Sequence, residues 1–145
     1  MDFNWTYYGE EVTDISFFGD SVVGFVYLIL ADNGKRYIGK KSLRTRRKRR
    51  FGKKETQALK DKRLKTWEWV TKESDWKTYT GSCKPLNEDI KNGVKVSREI
   101  LALCVSKKEL SYEEAYYQFK YNVLRNKSFY NDNIQIKVFS RDLEF

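Results

Sequence analysis

Histidine is absent from the 145 residues, and cysteine occurs only twice, at positions 83 and 104. These shortages remove the usual ligands of a zinc cluster and the usual general base of a hydrolase. Cys83 and Cys104 also lack redox-motif spacing, so they are expected as free thiols in a reducing compartment. No apolar run exceeds the ten residues from Val22 to Ala31. That is about half of the ~20 needed to cross a bilayer, so no transmembrane segment is expected. The stretch from Met1 to Tyr8 carries Asp2 and no basic residue. It does not read as a signal or transit peptide, and a cytoplasmic location is the expectation.

Aromatic residues are plentiful by contrast. Nine Phe, ten Tyr and four Trp, within a hydrophobic fraction of 40%, are enough to build one core without staples. The length, with no repeat or low-complexity linker, predicts a single domain over residues 1–145.

The formal net charge of +9 is unevenly placed. Residues 1–33 hold six acids and no Lys or Arg, whereas residues 34–66 hold sixteen basic residues against Glu55 and Asp61. Six cations fall within seven positions at Arg44, Arg46, Arg47, Lys48, Arg49 and Arg50. Such crowding is self-repulsive unless a polyanion neutralises it, and Trp67, Trp69 and Trp76 follow, so nucleic acid is the expected partner. A membrane surface is not expected, because the run has almost no apolar face. A solvated basic face or flexible arm is the plainer alternative.

Val22–Ala31 is rich in β-formers and is bounded by Asp32-Asn33-Gly34, after which Lys35–Lys40 alternates around Tyr37 and Ile38. This pattern predicts a β-hairpin. A two-residue turn would place Tyr27 and Tyr37 on opposite sheet faces. A three-residue loop with Gly34 left-handed pairs Ile29 with Tyr37 and Tyr27 with Gly39, so both tyrosines share a face, and that register is the expectation. Glu55–Lys72 has helical composition, and Asp75–Ser82 reads as a loop. Pro85–Ile90 predicts a short helix ending at Asn92-Gly93, and Val94–Cys104 a third strand. Ser111-Tyr-Glu-Glu114 carries a capping-box signature and predicts a helix start. Tyr112, Tyr116, Phe119 and Val123 would form its core-facing stripe, with Glu114, Gln118 and Arg125 on another face. Asn133–Phe139 would be a last strand.

Phe25-Val26-Tyr27 on the first strand and Tyr37-Ile38-Gly39 on the second, ten residues apart from tyrosine to tyrosine, resemble the paired motifs of the GIY-YIG nuclease family. The first motif departs from Gly-Ile-Tyr, while its tyrosine is kept. Lys40 follows the second motif, and Arg46 and Arg47 lie nine and ten positions past Tyr37, where the family places an arginine. A strand, a glutamate-bearing helix and Tyr130-Asn131 follow in the family's order. The run Glu73–Ser82, with Arg98–Leu101 and Glu109–Ala115, is similar to phage-encoded Seg-like homing endonucleases. The resemblance implies an α+β fold: a small GIY-YIG-like domain with a short antiparallel sheet, a β-hairpin plus third strand, flanked by helices. A basic insertion at about 41–93 would interrupt it.

The resemblance further implies a Mg²⁺-dependent, or Mn²⁺-dependent, endonuclease acting on double-stranded DNA, with no small-molecule cofactor and no membrane partner. In such an enzyme a tyrosine takes the proton of the attacking water, a lysine and an arginine hold the scissile phosphate, and a glutamate binds the metal. Carried onto this chain, Tyr37 is the base and Tyr27 its partner, with Lys40 and either Arg46 or Arg47 on the phosphate. Aligning the helix puts the family's metal ligand near Gln118 or Phe119, neither of which is a carboxylate. Glu114, one turn before Gln118, is therefore taken as the ligand, with Glu113 second. Asn131 would orient the metal or phosphate, or hold a turn. Lys41, Arg44, Lys48, Arg49, Arg50, Lys53 and Lys54 are expected to bind nucleic acid. Two rivals stand beside this reading: a DNA-binding module of the same fold whose catalysis has lapsed, and a basic RNA- or ribosome-associated protein.

Overall fold

The structure, a computed structural model, describes residues 4–59 and 65–144. Its strands are Trp5–Tyr7 (β1), Glu10–Val12 (β2), Gly24–Ala31 (β3), Arg36–Ser42 (β4), Arg44–Arg50 (β5), Trp67–Glu73 (β6) and Val96–Cys104 (β7). Its α-helices are Lys53–Gln57 (α1), Lys84–Lys91 (α2) and Lys107–Lys120 (α3). The chain divides into two compact units, residues 1–43 with 75–145, and residues 44–74.

In the larger unit five strands run in the order β2-β1-β7-β3-β4. β3 is apolar almost throughout because it is buried on both faces. Phe25, Tyr27 and Ile29 enter one core layer with Trp5, Trp76 and Leu86, while Val26 and Leu28 enter a second with Ile38, Leu110 and Val123. The hairpin forms in the expected register, Ile29 opposite Tyr37 and Tyr27 opposite Gly39, around a loop in which Gly34 has φ 87°. The helix expected near Pro85 and the strand expected after Val94 are present as α2 and β7. Among the described residues, no helix is long and apolar enough to cross a membrane, and both cysteines are free thiols.

The class is α+β, but several expectations about its elements need correction. The sheet is larger than a hairpin plus one strand, and it is mixed, since β1 runs parallel to β7. Strands of three residues, joined by a turn in which Tyr8 and Gly9 both have positive φ, are too short to show periodicity. The arginine run, given no element by its pattern, is strand β5, paired with β6, and alternation distributes its cations over two faces. The helix expected over residues 55–72 is reduced to α1, which ends at Gln57, and the tryptophan-bearing end is strand; residues 60–64 of that span lie outside the described residues. β-Branched and aromatic residues at Trp67, Trp69, Val70 and Thr71 favour the pleated partner.

Helix α3 begins one turn earlier than Ser111. Its cap is Ser106, whose side chain accepts a 3.1 Å bond from the Glu109 N–H, while the Glu109 carboxylate accepts from Val105. Ser111 and Glu114 therefore sit inside the helix. The aromatic stripe is also on the wrong side: Tyr112, Tyr116 and Phe119 are 45%, 49% and 67% exposed. The buried face is Leu110, Ala115 and Gln118, where a small residue and a hydrogen-bonded amide let α3 sit close to the sheet. Residues 133–139 form no strand. The open edge of β4 is closed just upstream, by Arg36 N–H to Ser128 O and Tyr130 N–H to Arg36 O. Replacing the true cap, Ser106→Ala, should cost about 1 kcal/mol of stability, while Ser111→Ala should cost little. Thermal melts of the two variants check this.

Candidate active site

Tyr27 sits at the centre of β3 and is 1% exposed. Its ring is 6.2 Å from that of Tyr37 and stands edge-on to Tyr79 at 6.1 Å and to Trp5 at 5.3 Å. Gly39 lies directly beneath it. A Cβ there would collide with the Tyr27 hydroxyl and sit 2.7 Å from its Cζ, so the glycine of Tyr-Ile-Gly is required by ring packing. Gly81, at φ 86°, closes the tyrosines from the other side, where a Cβ would be 3.1 Å from Tyr27 Oη and 3.2 Å from Tyr37 Cε2. Burial pushes the Tyr27 phenol well above its ordinary pKa, and Tyr37, Tyr79 and Glu114 add to the shift.

Tyr37 is half-buried and opens onto a polar pocket of about 220 Å³, shared with Lys40, Glu114, Gln118, Asn131 and Asp132. Strand alternation puts Tyr37 and Lys40 on opposite faces of β4, yet β4 is the outermost strand, so both reach a pocket at its edge. Burial raises the Tyr37 pKa to about 12; a hydrogen bond with Ser82 opposes the rise, and Cys83, Glu114 and Tyr79 reinforce it.

Lys40 donates a 2.8 Å bond to Ser111 Oγ, and its Nζ is 3.9 Å from Glu114 Oε1. The Glu114 side chain is 17% exposed. Burial raises its pKa, and the Lys40 ammonium partly opposes that. Glu114 lines the pocket and Glu113 does not.

Asn131 is committed to the backbone. Its Oδ1 accepts from Ile38 N–H at 3.0 Å and its Nδ2 donates to Ile38 O at 2.8 Å, copying a neighbouring strand. Gln118, one of the two positions near which the resemblance would align a metal ligand, is buried and donates to the same carbonyl at 3.1 Å. The donors that remain in the pocket are carboxylate and amide oxygens, suited to a hard cation.

Three positioning residues escaped the sequence reading: Tyr79 against Tyr27, Ser82 on Tyr37 and Ser111 on Lys40. Tyr79 and Ser82 belong to the Glu73–Ser82 run already singled out. Arg98, 3% exposed on β7, anchors that loop by donating from Nη1 to Tyr79 O at 2.9 Å. Lys41, expected on nucleic acid, pairs with Asp75 at 2.5 Å and covers the Tyr79 ring at 3.9 Å.

The remaining basic candidates belong to the unit 44–74. Arg46 and Arg47 are neighbours on β5 and project from opposite faces; the Arg46 guanidinium lies 4.0 Å from the Trp69 ring centre. Arg49 is ion-paired to Glu55 at 2.8 Å and to Glu68 at 2.7 Å, and its guanidinium holds the Glu55 carboxyl down at about 2. Arg44 and Lys48 lie on β5 with Arg50, and Lys53 and Lys54 open α1 as exposed side chains.

Neither the curated proteins nor the solved structures contain a significant match to the chain. A family model described as "Putative endonuclease segE, GIY-YIG domain" matches residues 5–134. That span takes in both tyrosine motifs, the loop that packs on them, β7, α3 and the closing Tyr130-Asn131. With nearly the whole chain matched, and with the tyrosines, Lys40 and Glu114 gathered as described, the chain belongs to the SegE-type GIY-YIG endonuclease family.

Proposed function

We propose that the chain is a divalent-cation-dependent endonuclease of homing type that hydrolyses phosphodiester bonds of double-stranded DNA in the cytoplasm. In this reading residues 1–145 act as one nuclease domain carrying a basic insertion. The observation that carries the proposal is the meeting of Tyr37, Lys40 and Glu114 in one polar pocket.

Hydrolysis needs a base for the water, charge relief on the phosphate oxygens and a held substrate. Tyr37 Oη is the proposed proton acceptor. Tyr37 lines the pocket, its ring packs 6.2 Å from that of Tyr27, and its hydroxyl is hydrogen-bonded with Ser82. Lys40, its ammonium steadied by Ser111, is proposed to meet the scissile phosphate. Glu114 is the proposed ligand of Mg²⁺ or Mn²⁺. Such ions take one or two protein carboxylates and complete their shell with water and substrate phosphate, so a single glutamate with Asp132 nearby fits. The bound ion would supply charge neutralisation at the phosphate. Tyr27 and Asn131 act through other residues: one supports the Tyr37 ring, the other fixes the β4 backbone beneath the pocket.

The resemblance implies one catalytic arginine, Arg46 or Arg47, and the two project from opposite faces of β5. Arg46→Ala and Arg47→Ala should differ by about tenfold or more in single-turnover cleavage, and comparing the two rates assigns the role.

The lapsed-module reading has one feature in its favour: the resemblance aligns the metal ligand near Gln118 or Phe119, neither a carboxylate, and the Gln118 amide is committed to the Ile38 carbonyl. Incubation with supercoiled plasmid in Mg²⁺ separates the two. Nicking or linearisation supports the nuclease, whereas intact plasmid with a retained gel shift supports the lapsed module.

A further inference from the structure

The unit 44–74 is a two-stranded ribbon with chemically different faces. The register of β5 on β6 sets Arg46 opposite Thr71, Lys48 opposite Trp69 and Arg50 opposite Trp67, and facing residues share a side. On this side, cations rest on indoles. Arg46 lies over Trp69 at 4.0 Å, and Lys48 and Lys65 lie over Trp67 at 4.4 and 4.8 Å. Trp69 remains 46% exposed. On the other side Arg49 is bound to Glu55 and Glu68, so its charge is spent within the unit.

Long cationic side chains lose rotamer entropy when they grip a ligand, and a ring beneath them reduces that loss. Along β5 successive residues of one face are ~6.8 Å apart, so the cations form a row. Each strand of a duplex presents a continuous row of phosphates, and the charge of this face is complementary to it.

We infer that the face of the β5–β6 ribbon carrying Arg46, Lys48, Arg50, Trp67 and Trp69 is the surface on which duplex DNA lies, with the cations on the phosphates and the indoles as their supports. The opposite face, with Arg47, Arg49 and Lys72, carries less of the affinity. The choice of duplex DNA as occupant rests on the nuclease reading above.

The test is fluorescence anisotropy with a labelled duplex in EDTA, where nothing is cut, from about 50 to about 300 mM salt. Lys48→Gln/Arg50→Gln, which leaves both indoles in place, should weaken binding about tenfold or more at ~0.1 M salt and lower the log–log salt slope by nearly two. Trp67→Leu/Trp69→Leu should weaken binding several-fold, and Lys72→Gln less than twofold. Intrinsic fluorescence should change when the duplex is added to the wild type, because Trp5 and Trp76 are fully buried and the ribbon indoles are not. Binding by Lys48→Gln/Arg50→Gln within twofold of wild type at every salt concentration overturns the inference, as does an equal loss in Lys72→Gln. Preferential binding of RNA or single strands through the same residues also overturns it. Plasmid cutting, measured separately, keeps the two readings apart: a wild type that never cuts, with ribbon variants that lose duplex affinity, removes the nuclease and leaves the ribbon.

Discussion

Tyr37→Phe should lower single-turnover cleavage by about 10² to 10⁴, the range for removing a positioned general base, with duplex affinity kept within about threefold. The substitution deletes one oxygen. The ring contacts with Tyr27 and the cover supplied by Gly81 do not depend on that oxygen, so the fold should survive. Wild-type activity should also carry the signature of this base. The phenol's pKa is raised to about 12, chiefly by burial, so below that pH the active tyrosinate is the minor form. Its population grows about tenfold per pH unit, so log rate should climb with a slope near one through the neutral range. Tyr37→Phe should lose that slope, which a pH–rate profile of both proteins checks.

Glu114→Gln should abolish metal-dependent cleavage, a fall of about 10²-fold or more, without destabilising the protein. Burial raises the Glu114 pKa in the fold, and Lys40 only partly opposes it. A carboxyl with a raised folded pKa favours the fold when protonated, and that contribution is lost as pH rises through the folded value. An ionised side chain is thus held at a cost, and the amide removes it. The helix cap is Ser106, so no cap is lost either. Melting temperatures should therefore be equal, or slightly higher for the variant at neutral pH, while divalent ions cease to stimulate cutting. A large drop in melting temperature with activity intact would mean that Glu114 is structural.

The parts of this site that were legible in the sequence are those governed by short-range geometry. Gly34, with positive φ after Asp32-Asn33, closes a three-residue loop, and that loop sets Tyr27 and Tyr37 on one face. The pocket is lined by Tyr37 and Lys40, named from motif spacing, and by Glu114, named as the carboxylate one turn before Gln118. What the sequence obscured was decided by tertiary contacts. Ser106-Lys-Lys-Glu109 and Ser111-Tyr-Glu-Glu114 are equivalent caps locally, and packing of Leu110 in the core selects the first. Gln118 reads as a surface residue until the Ile38 carbonyl is found facing it. Six cations within seven positions do not announce a strand, yet Trp67 and Trp69, seventeen or more residues later, give them a pleated partner. Tyr79, Ser82 and Ser111 act on residues 45 to 71 positions away, a relation that no local pattern records.

Single-turnover cleavage of supercoiled plasmid at saturating protein, run in Mg²⁺ and in EDTA for wild type, Tyr37→Phe and Glu114→Gln, tests most directly whether the pocket at the β4 edge hydrolyses DNA. The expected result is cutting by the wild type in Mg²⁺ alone, with both variants bound to the plasmid and leaving it intact. Cutting by either variant at the wild-type rate, or by the wild type equally well in EDTA, would contradict the account.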